Sequence, residues 1–455
     1  MKTPLDDFLR EYVKDNKVRF HMPGHKGRAF LGMEEYDITE VEGADVLYSA
    51  EGVLRESMQN ASELFGSVKT LYSTEGSSLS IRAMVYLIKL YSLSQGKKPK
   101  ITAFRNAHKT FITACALTGT ETEWLYGKEN KGITCCNISA EEVRAYLDST
   151  EELPTALYVT SPDYLGNIAD IRSLSELCEE KGIILAVDNA HGAYLNFLPE
   201  NRHPIHLGAH ICCDSAHKTL PVLTGGAYLH VSHNAPALFA EKAEYALSLF
   251  ASTSPSYLIL RSLDKTNGLL SADYSEYLAE FVKKVQGIKD NLVSKGFSFI
   301  GDEPLKFTFD SKKYGYEGKE LAEYLSENSI VCEFSDEDYT VLMLTDSNTD
   351  EDLDRLVRAL DALPKKEAIT EKPPEITAPE RVISLSECIF LSTERVKTEN
   401  SLGRVCGGIN ISCPPAVPVV VAGERIDEEQ IKLLKYYGIS EIEVVVCHLE
   451  QSERY

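Results

Sequence analysis

Between about residues 60 and 260 the chain alternates helix-period stretches with short runs of consecutive apolar residues. This is the pattern of βαβ units whose strands are buried on both faces of a parallel sheet. The clearest runs are Ala156-Leu157-Tyr158-Val159-Thr160, Ile183-Ile184-Leu185-Ala186-Val187 and Ile211-Cys212-Cys213. Each gives way to a polar cluster: Ser161-Pro162-Asp163-Tyr164, then Asp188-Asn189-Ala190-His191-Gly192, then Asp214-Ser215-Ala216-His217-Lys218. In an open α/β sheet ligands bind outside the carboxyl ends of the strands, so the pattern predicts that these clusters face one another across one crevice.

The flanking segments read differently. Residues 1–20 place Leu5, Phe8, Leu9, Tyr12 and Val13 on one side of a short amphipathic helix. The loop His21-Met22-Pro23-Gly24-His25-Lys26-Gly27 is kept irregular by its proline and glycines. An N-terminal arm over 1–60 and a large domain over 61–264 follow from this. Residues 265–363 open with a long helical stretch, pass through the strand-like runs Phe307-Thr308-Phe309 and Val341-Leu342-Met343-Leu344, and end in a charged helix from Glu351 to Leu363, the pattern of a smaller α+β domain. Pro364, Pro373, Pro374 and Pro379, set among charges, mark 364–380 as a linker, and a C-terminal unit occupies 381–455. No internal repeat is found.

A length of 455 residues agrees with three units of about 150 residues each. The 43% hydrophobic and 25% charged residues exclude disorder or a coiled coil as a description of the whole. With 47 Lys+Arg against 69 Asp+Glu the net charge is -22, which argues against a nucleic-acid partner. Eleven cysteines without a CxxC pair are too dilute for a disulfide framework, and they are expected to be reduced. No stretch of about 20 residues is free of charge and no signal-peptide core is present, so the expected address is cytoplasmic, with no membrane partner.

Chemistry concentrates at Lys218. A lysine just beyond a strand end, beside Ser215, His217 and Thr219, is placed to be desolvated, which makes its amine nucleophilic. Asp188 closes what should be the neighbouring strand. A carboxylate there can cap a following helix, or it can pair with a protonated pyridine nitrogen. Lysine and aspartate so arranged are the working pair of a pyridoxal 5'-phosphate (PLP) enzyme, a Schiff-base lysine and a pyridinium partner. A phosphate cradle is available at Ser73-Thr74-Glu75-Gly76-Ser77-Ser78, ahead of the apolar helix Leu79 to Leu90. His108 begins another helical stretch, either as a core histidine or as a ring stacked on the cofactor. His203, His206 and His210 invite a metal, but the spacing is loose and Pro204 interrupts it, so no metal site is expected.

With these residues in place, the sequence resembles the fold-type I, PLP-dependent ornithine/lysine/arginine decarboxylases. The matching pieces are His21 to Gly27, Gly76-Ser77-Ser78, Arg105-Asn106-Ala107-His108-Lys109, Ser161 to Gly166, Asp188 to Gly192, Ser215-Ala216-His217-Lys218-Thr219 and Ser252-Thr253-Ser254-Pro255-Ser256-Tyr257, in the family's order. The resemblance implies an aspartate-aminotransferase-like large domain with a mostly parallel sheet, a smaller α+β domain and a C-terminal unit. It implies that Lys218 carries the cofactor, Asp188 pairs with the pyridine nitrogen, His108 stacks on the ring and Ala190 packs its other face, with His191 also at the cofactor. Ser77, Ser78, Ser215 and His217 would hold the phosphate. Ser252 and Ser254 would reach in from a neighbouring subunit, which makes the enzyme a homodimer or a higher oligomer with shared active sites.

The implied reaction is decarboxylation of an amino acid, arginine, lysine or ornithine first, within polyamine metabolism; Lys218 or His217 returns the proton to Cα. The alternative is another PLP reaction, of aminotransferase, lyase or aldolase type, on the same scaffold. A non-catalytic binding relative would need neither Lys218 nor Asp188. Departures lie at Val405-Cys406-Gly407-Gly408-Ile409, where the family carries an acidic residue, at Cys413 before Pro414-Pro415, and at Asn189 where Glu is frequent. A lost carboxylate removes a natural partner for a distal cation and leaves substrate preference open.

Overall fold

The computed structural model describes residues 1–127, 132–408 and 416–446. Helix α1 (Pro4–Lys14) lays Leu5, Leu9 and Tyr12 inward, against α2 (Val53–Phe65). Thereafter strands and helices alternate: β1 (Lys69–Ser73), α3 (Gly76–Ser94), β2 (Lys100–Phe104), α4 (Lys109–Thr118), β3 (Glu121–Leu125), α5 (Ala140–Ser149), β4 (Ala156–Thr160), α6 (Ile171–Lys181), β5 (Ile184–Asp188), β6 (Ile211–Asp214), α7 (Ala216–Thr219) and β7 (Ala227–Val231). These strands form one seven-stranded sheet in the order β1-β7-β6-β5-β4-β2-β3. It is parallel from β3 to β6, and β7 runs antiparallel to both of its neighbours. Residues of β5, β6 and β7 are all buried, as expected for strands covered on both faces.

Helices α8 (Ala237–Ser248) and α9 (Tyr257–Leu270) complete the large unit, α8 packing on α3. The long α10 (Tyr274–Ser294) leads into a second layer built from β8 (Phe299–Ile300), β9 (Lys306–Asp310), α11 (Ser311–Tyr314), α12 (Gly318–Glu327), β10 (Phe334–Ser335), β11 (Tyr339–Met343) and α13 (Asp350–Ala362). Its four strands form an antiparallel sheet ordered β10-β11-β9-β8. The C-terminal part adds α14 (Leu385–Cys388), the antiparallel pair β12 (Thr393–Lys397) and β13 (Glu441–Val445), and α15 (Glu428–Tyr436), around a small core that includes Cys406, Ile426 and Leu433. Its residues 416–419 dock on the large unit: the Lys109 amide donates to the Ala416 carbonyl at 2.8 Å, and Arg105 donates to the Pro418 and Val419 carbonyls.

Boundaries shift by a few residues from the sequence reading, and two of the shifts bear on the site. The apolar helix begins at Gly76 rather than Leu79, so Ser77 and Ser78 belong to its first turn. The strand read as Ile183–Val187 runs from Ile184 through Asp188, so Asp188 is the last strand residue. Ile409, Cys413, Pro414 and Pro415 lie outside the described residues.

Candidate active site

Parallel pairing of β4, β5 and β6 brings their carboxyl ends together: Thr160 lies beside Asp188, and Asp188 beside Cys213. The three polar clusters that follow these strands supply residues to one cavity of about 530 Å³. Lys218, on the short α7, and Asp188, at the tip of β5, both line it. So do Ser77 and Ser78 from the start of α3, Ser215, His217, His108, Ala190 and His191. Ser252 and Ser254 are exposed and do not line the cavity within this chain. The Ser252 amide instead donates to Glu75, a residue of the cavity wall, at 2.7 Å.

Asp188 is fully buried and accepts from neutral donors: the Tyr158 hydroxyl at 3.2 Å, the Ala190 amide at 3.2 Å and, weakly, the Cys213 thiol. Burial pushes its pKa above the usual carboxylate range, while the charge of Lys218 pulls it back. The loop after Asp188 is tight. A Cβ on Gly192 would lie 2.1 Å from Asn189 Oδ1 and 2.8 Å from Pro162, so only glycine lets this loop close against the end of β4.

Three histidines surround the lysine. His108 caps α4, its Nδ1 accepting from the Thr110 amide, and burial together with the charges of Lys218 and Lys109 lowers its pKa to about 4. Its ring is therefore neutral at physiological pH, suited to stacking on a flat heterocycle. Burial lowers His217 as well, against the Gly226 carbonyl that meets its Nδ1 at 3.0 Å. His191, fully buried, bridges two lysines: its Nε2 lies 2.9 Å from Lys218 Nζ and its Nδ1 lies 3.1 Å from Lys306 Nζ.

The ring of His108 is expected to titrate near pH 4 when followed by NMR. Between about pH 6.5 and that value the unfolded chain takes up a proton that the folded ring refuses, so this residue withdraws stability as pH falls through the window. A ring titrating above pH 6 would contradict its burial against Lys218.

A second cluster, which spacing alone did not reveal, anchors the end of β6. Asp214 accepts from Asn189 Nδ2 at 2.7 Å, and its other oxygen lies 3.0 Å from His203 Nε2 and 3.1 Å from His230 Nε2. The two histidines hold its carboxyl well below the ordinary carboxylate range despite complete burial. Of the three histidines read together from the sequence, only His203 joins this cluster; His210 Nδ1 accepts the Leu185 amide instead. His203 Nδ1 accepts the Ile205 amide at 3.3 Å, which leaves the Nε2 proton to point at Asp214. Asp214→Ala should cost about 3–5 kcal/mol in urea unfolding, because it strands several buried donors; a cost below about 1 kcal/mol would remove the anchoring role.

Other residues at the cavity carried no local signal. Glu333 comes from the second layer to the cavity wall, its Oε1 accepting the Tyr164 hydroxyl at 2.9 Å. Cys406, in the C-terminal motif, is buried in that unit's own core and not at the cavity, whereas Val417 reaches it.

The Orn/Lys/Arg decarboxylase major-domain model matches residues 3–302. The chain belongs to the Orn/Lys/Arg decarboxylase family. It is a decarboxylase by that membership. It is 28% identical to an arginine decarboxylase of Bacillus subtilis over 95% of this chain and 93% of that protein. It is also 30% identical to the uncharacterized YaaO of the same organism, over 95% of this chain and 94% of that protein. Among solved structures, the lysine decarboxylase LdcF of Francisella novicida superposes with a TM-score of 0.81 at 17% identity, covering 98% of this chain and 81% of that one. The expected fold class, an aminotransferase-like large unit with a mostly parallel sheet, holds for this family member. Among the described residues no helix is long and apolar enough to cross a membrane.

Proposed function

We propose that this decarboxylase removes the carboxylate of a basic amino acid, using PLP held covalently by Lys218. The observation that carries the reading is the meeting of the Lys218 amine and the buried Asp188 carboxylate in one cavity, at the ends of adjacent parallel strands. The donor set fits the cofactor. Ser77, Ser78 and Ser215 gather their hydroxyls where α3 begins, Ser215 donating to Ser77 at 2.8 Å, and exposed amides of a helix start add the favourable end of its dipole for a phosphate. A positive φ of 71° at Gly76 is a conformation glycine adopts without strain. The raised pKa of Asp188 is that of a buried carboxylate awaiting a cation, and a protonated pyridine nitrogen would be one.

When bound, PLP supplies an aldehyde carbon for an amine and an electron-poor ring that takes up the electron pair released with carbon dioxide. The protein does the rest. Asp188 would hold the proton on the ring nitrogen, His108 and Ala190 would pack on the ring, and Ser77, Ser78, Ser215 and His217, all at the cavity, would hold the phosphate. Lys218 would hold the cofactor until the substrate amine takes its place, and Lys218 or His217 would return a proton to the substrate Cα. Glu75 and Glu333 are carboxylates of the cavity wall left over from this arrangement and suit a distal cation of the substrate.

Completion of the site by Ser252 and Ser254 of a second copy belongs to the same reading. It is supported by the apolar exposure of the N-terminal arm, where Phe20 and Phe30 are 94% and 89% exposed. A cytoplasmic homodimer serving polyamine metabolism, with unit boundaries near 60, 264, 363 and 380, completes the proposal. The test is carbon dioxide release from a panel of L-amino acids with PLP present. Release from arginine, lysine or ornithine and none from glutamate supports the reading; a keto acid or aldehyde product without carbon dioxide overturns it.

A further inference from the structure

Behind Lys218 runs a buried chain of titratable groups that the reaction above does not use. Lys306, the first residue of β9, and Glu303, just before it, are each 1% exposed at the side chain and form an ion pair at 2.7 Å. Glu303 also accepts the Tyr194 hydroxyl at 3.3 Å. Lys306 Nζ donates to the Asp163 carbonyl at 3.3 Å and meets His191 Nδ1 at 3.1 Å, while the other ring nitrogen of His191 meets Lys218 Nζ at 2.9 Å. The order of contacts is Glu303, Lys306, His191, Lys218, and it joins the second layer of the fold to the lysine of the proposed site.

Donor counting restricts the protons in this chain. A neutral imidazole offers one N–H and one lone pair, and an ammonium offers only donors. His191 is 5% exposed and lies between two lysines, and burial, with the charge of Lys306, keeps it neutral. An ammonium can therefore face only the lone-pair side of the ring, and the lysine on the N–H side must present a lone pair of its own. Glu303 selects which lysine is which, because its carboxylate is in contact with Lys306. Among the described residues, His108, His217 and Asp188 are the other titratable groups coupled to Lys218; burial holds both histidines neutral, and it raises the pKa of Asp188, the one group of the three whose charge favours an ammonium at Lys218. The ring of Tyr164, 5.0 Å from that of His191 at an edge-on angle, limits how the imidazole can turn.

We propose that the buried Glu303–Lys306 pair fixes His191 with its proton on Nε2, and that this proton, donated to Lys218 Nζ, holds Lys218 as a neutral amine ready to capture an aldehyde. Lys306 and Glu303 are positioning residues in this account. Before the cofactor is captured, protonating Lys218 would set an ammonium against the Nε2 proton and break the 2.9 Å bond, so the chain resists it in that state. The role of the captured aldehyde rests on the PLP reading above; the placement of the ring proton does not.

Two measurements test it. In the protein without cofactor, ¹⁵N NMR of labelled histidine, with His191 identified by its loss in His191→Asn, should show a protonated-type shift at Nε2 and an unprotonated-type shift at Nδ1. The reverse pattern, or a doubly protonated ring at neutral pH, overturns the proposal whether or not PLP binds. In the second, the rate of covalent PLP capture is followed against pH in wild type and in Lys306→Met. Loss of the Lys306 donor frees His191 to accept from a Lys218 ammonium, so the pH profile should move at least about one unit alkaline. Capture at pH 7 should then fall about tenfold, with the plateau at high pH retained. A profile unmoved in shape, or lowered equally at every pH, overturns the positioning role. Failure of wild type to capture PLP at any pH would instead strike the cofactor reading, and the NMR result would still decide the proton's place.

Discussion

Lys218→Ala is expected to lower carbon dioxide release by at least about 10³-fold and to abolish covalent retention of PLP, while the protein stays folded. The reasoning is local. Lys218 is the lysine carried by the cluster that closes β6, its Nζ lies against His191, and its amine is required both to hold the cofactor and to be exchanged for the substrate amine. The side chain sits on a four-residue helix at the rim of the sheet, so truncation removes chemistry without opening the core. Release at a rate near wild type would mean that another amine serves. Lys109, which also lines the cavity, is the obvious substitute.

Asp188→Asn should reduce kcat by about 10²–10³-fold, the loss of about 3–4 kcal/mol of electrostatic stabilisation, with a smaller change in KM. The amide keeps the size and most of the hydrogen bonding to Tyr158 and Ala190, but it cannot hold a proton on a ring nitrogen. Stability should move the other way. Because burial raises the Asp188 pKa, the charged carboxylate opposes folding above its unfolded pKa, and the neutral amide relieves that cost. The expected signature is a melting temperature equal to or above wild type in an enzyme that barely turns over. A variant that loses stability and activity together would point to a structural carboxylate.

Much of this site was legible because its parts are local. Each buried strand of the parallel sheet announces itself as an apolar run, and the polar residues that interrupt the run are by construction at the strand's end, where α/β sheets bind ligands. That is why the clusters beginning at Ser161, Asp188 and Asp214 could be read together, and why Asp188 and Lys218 meet as adjacent strand ends. The antiparallel β7, inserted between β1 and β6, was not legible, since its apolar run has no feature that fixes its direction. Nor were Glu303 and Lys306. In sequence they flank an ordinary strand, and only the packing of the second layer against the loop after β5 turns them inward. Asp214 with His203 and His230 escaped for the same reason: the groups are scattered in sequence and converge only when β6 and β7 pair and the segment before β6 brings in His203. The start of α3 was placed late because Gly76, Ser77 and Ser78 are weak helix formers, and it is their role at the helix start that brings them into its first turn.

The most direct measurement of the central claim is to incubate the protein with PLP, reduce it with borohydride and locate the modified residue by peptide mass spectrometry. The account predicts a single stable pyridoxyl addition on the peptide carrying Lys218. Modification of Lys109 or Lys306 in its place, or no addition at all, would contradict it.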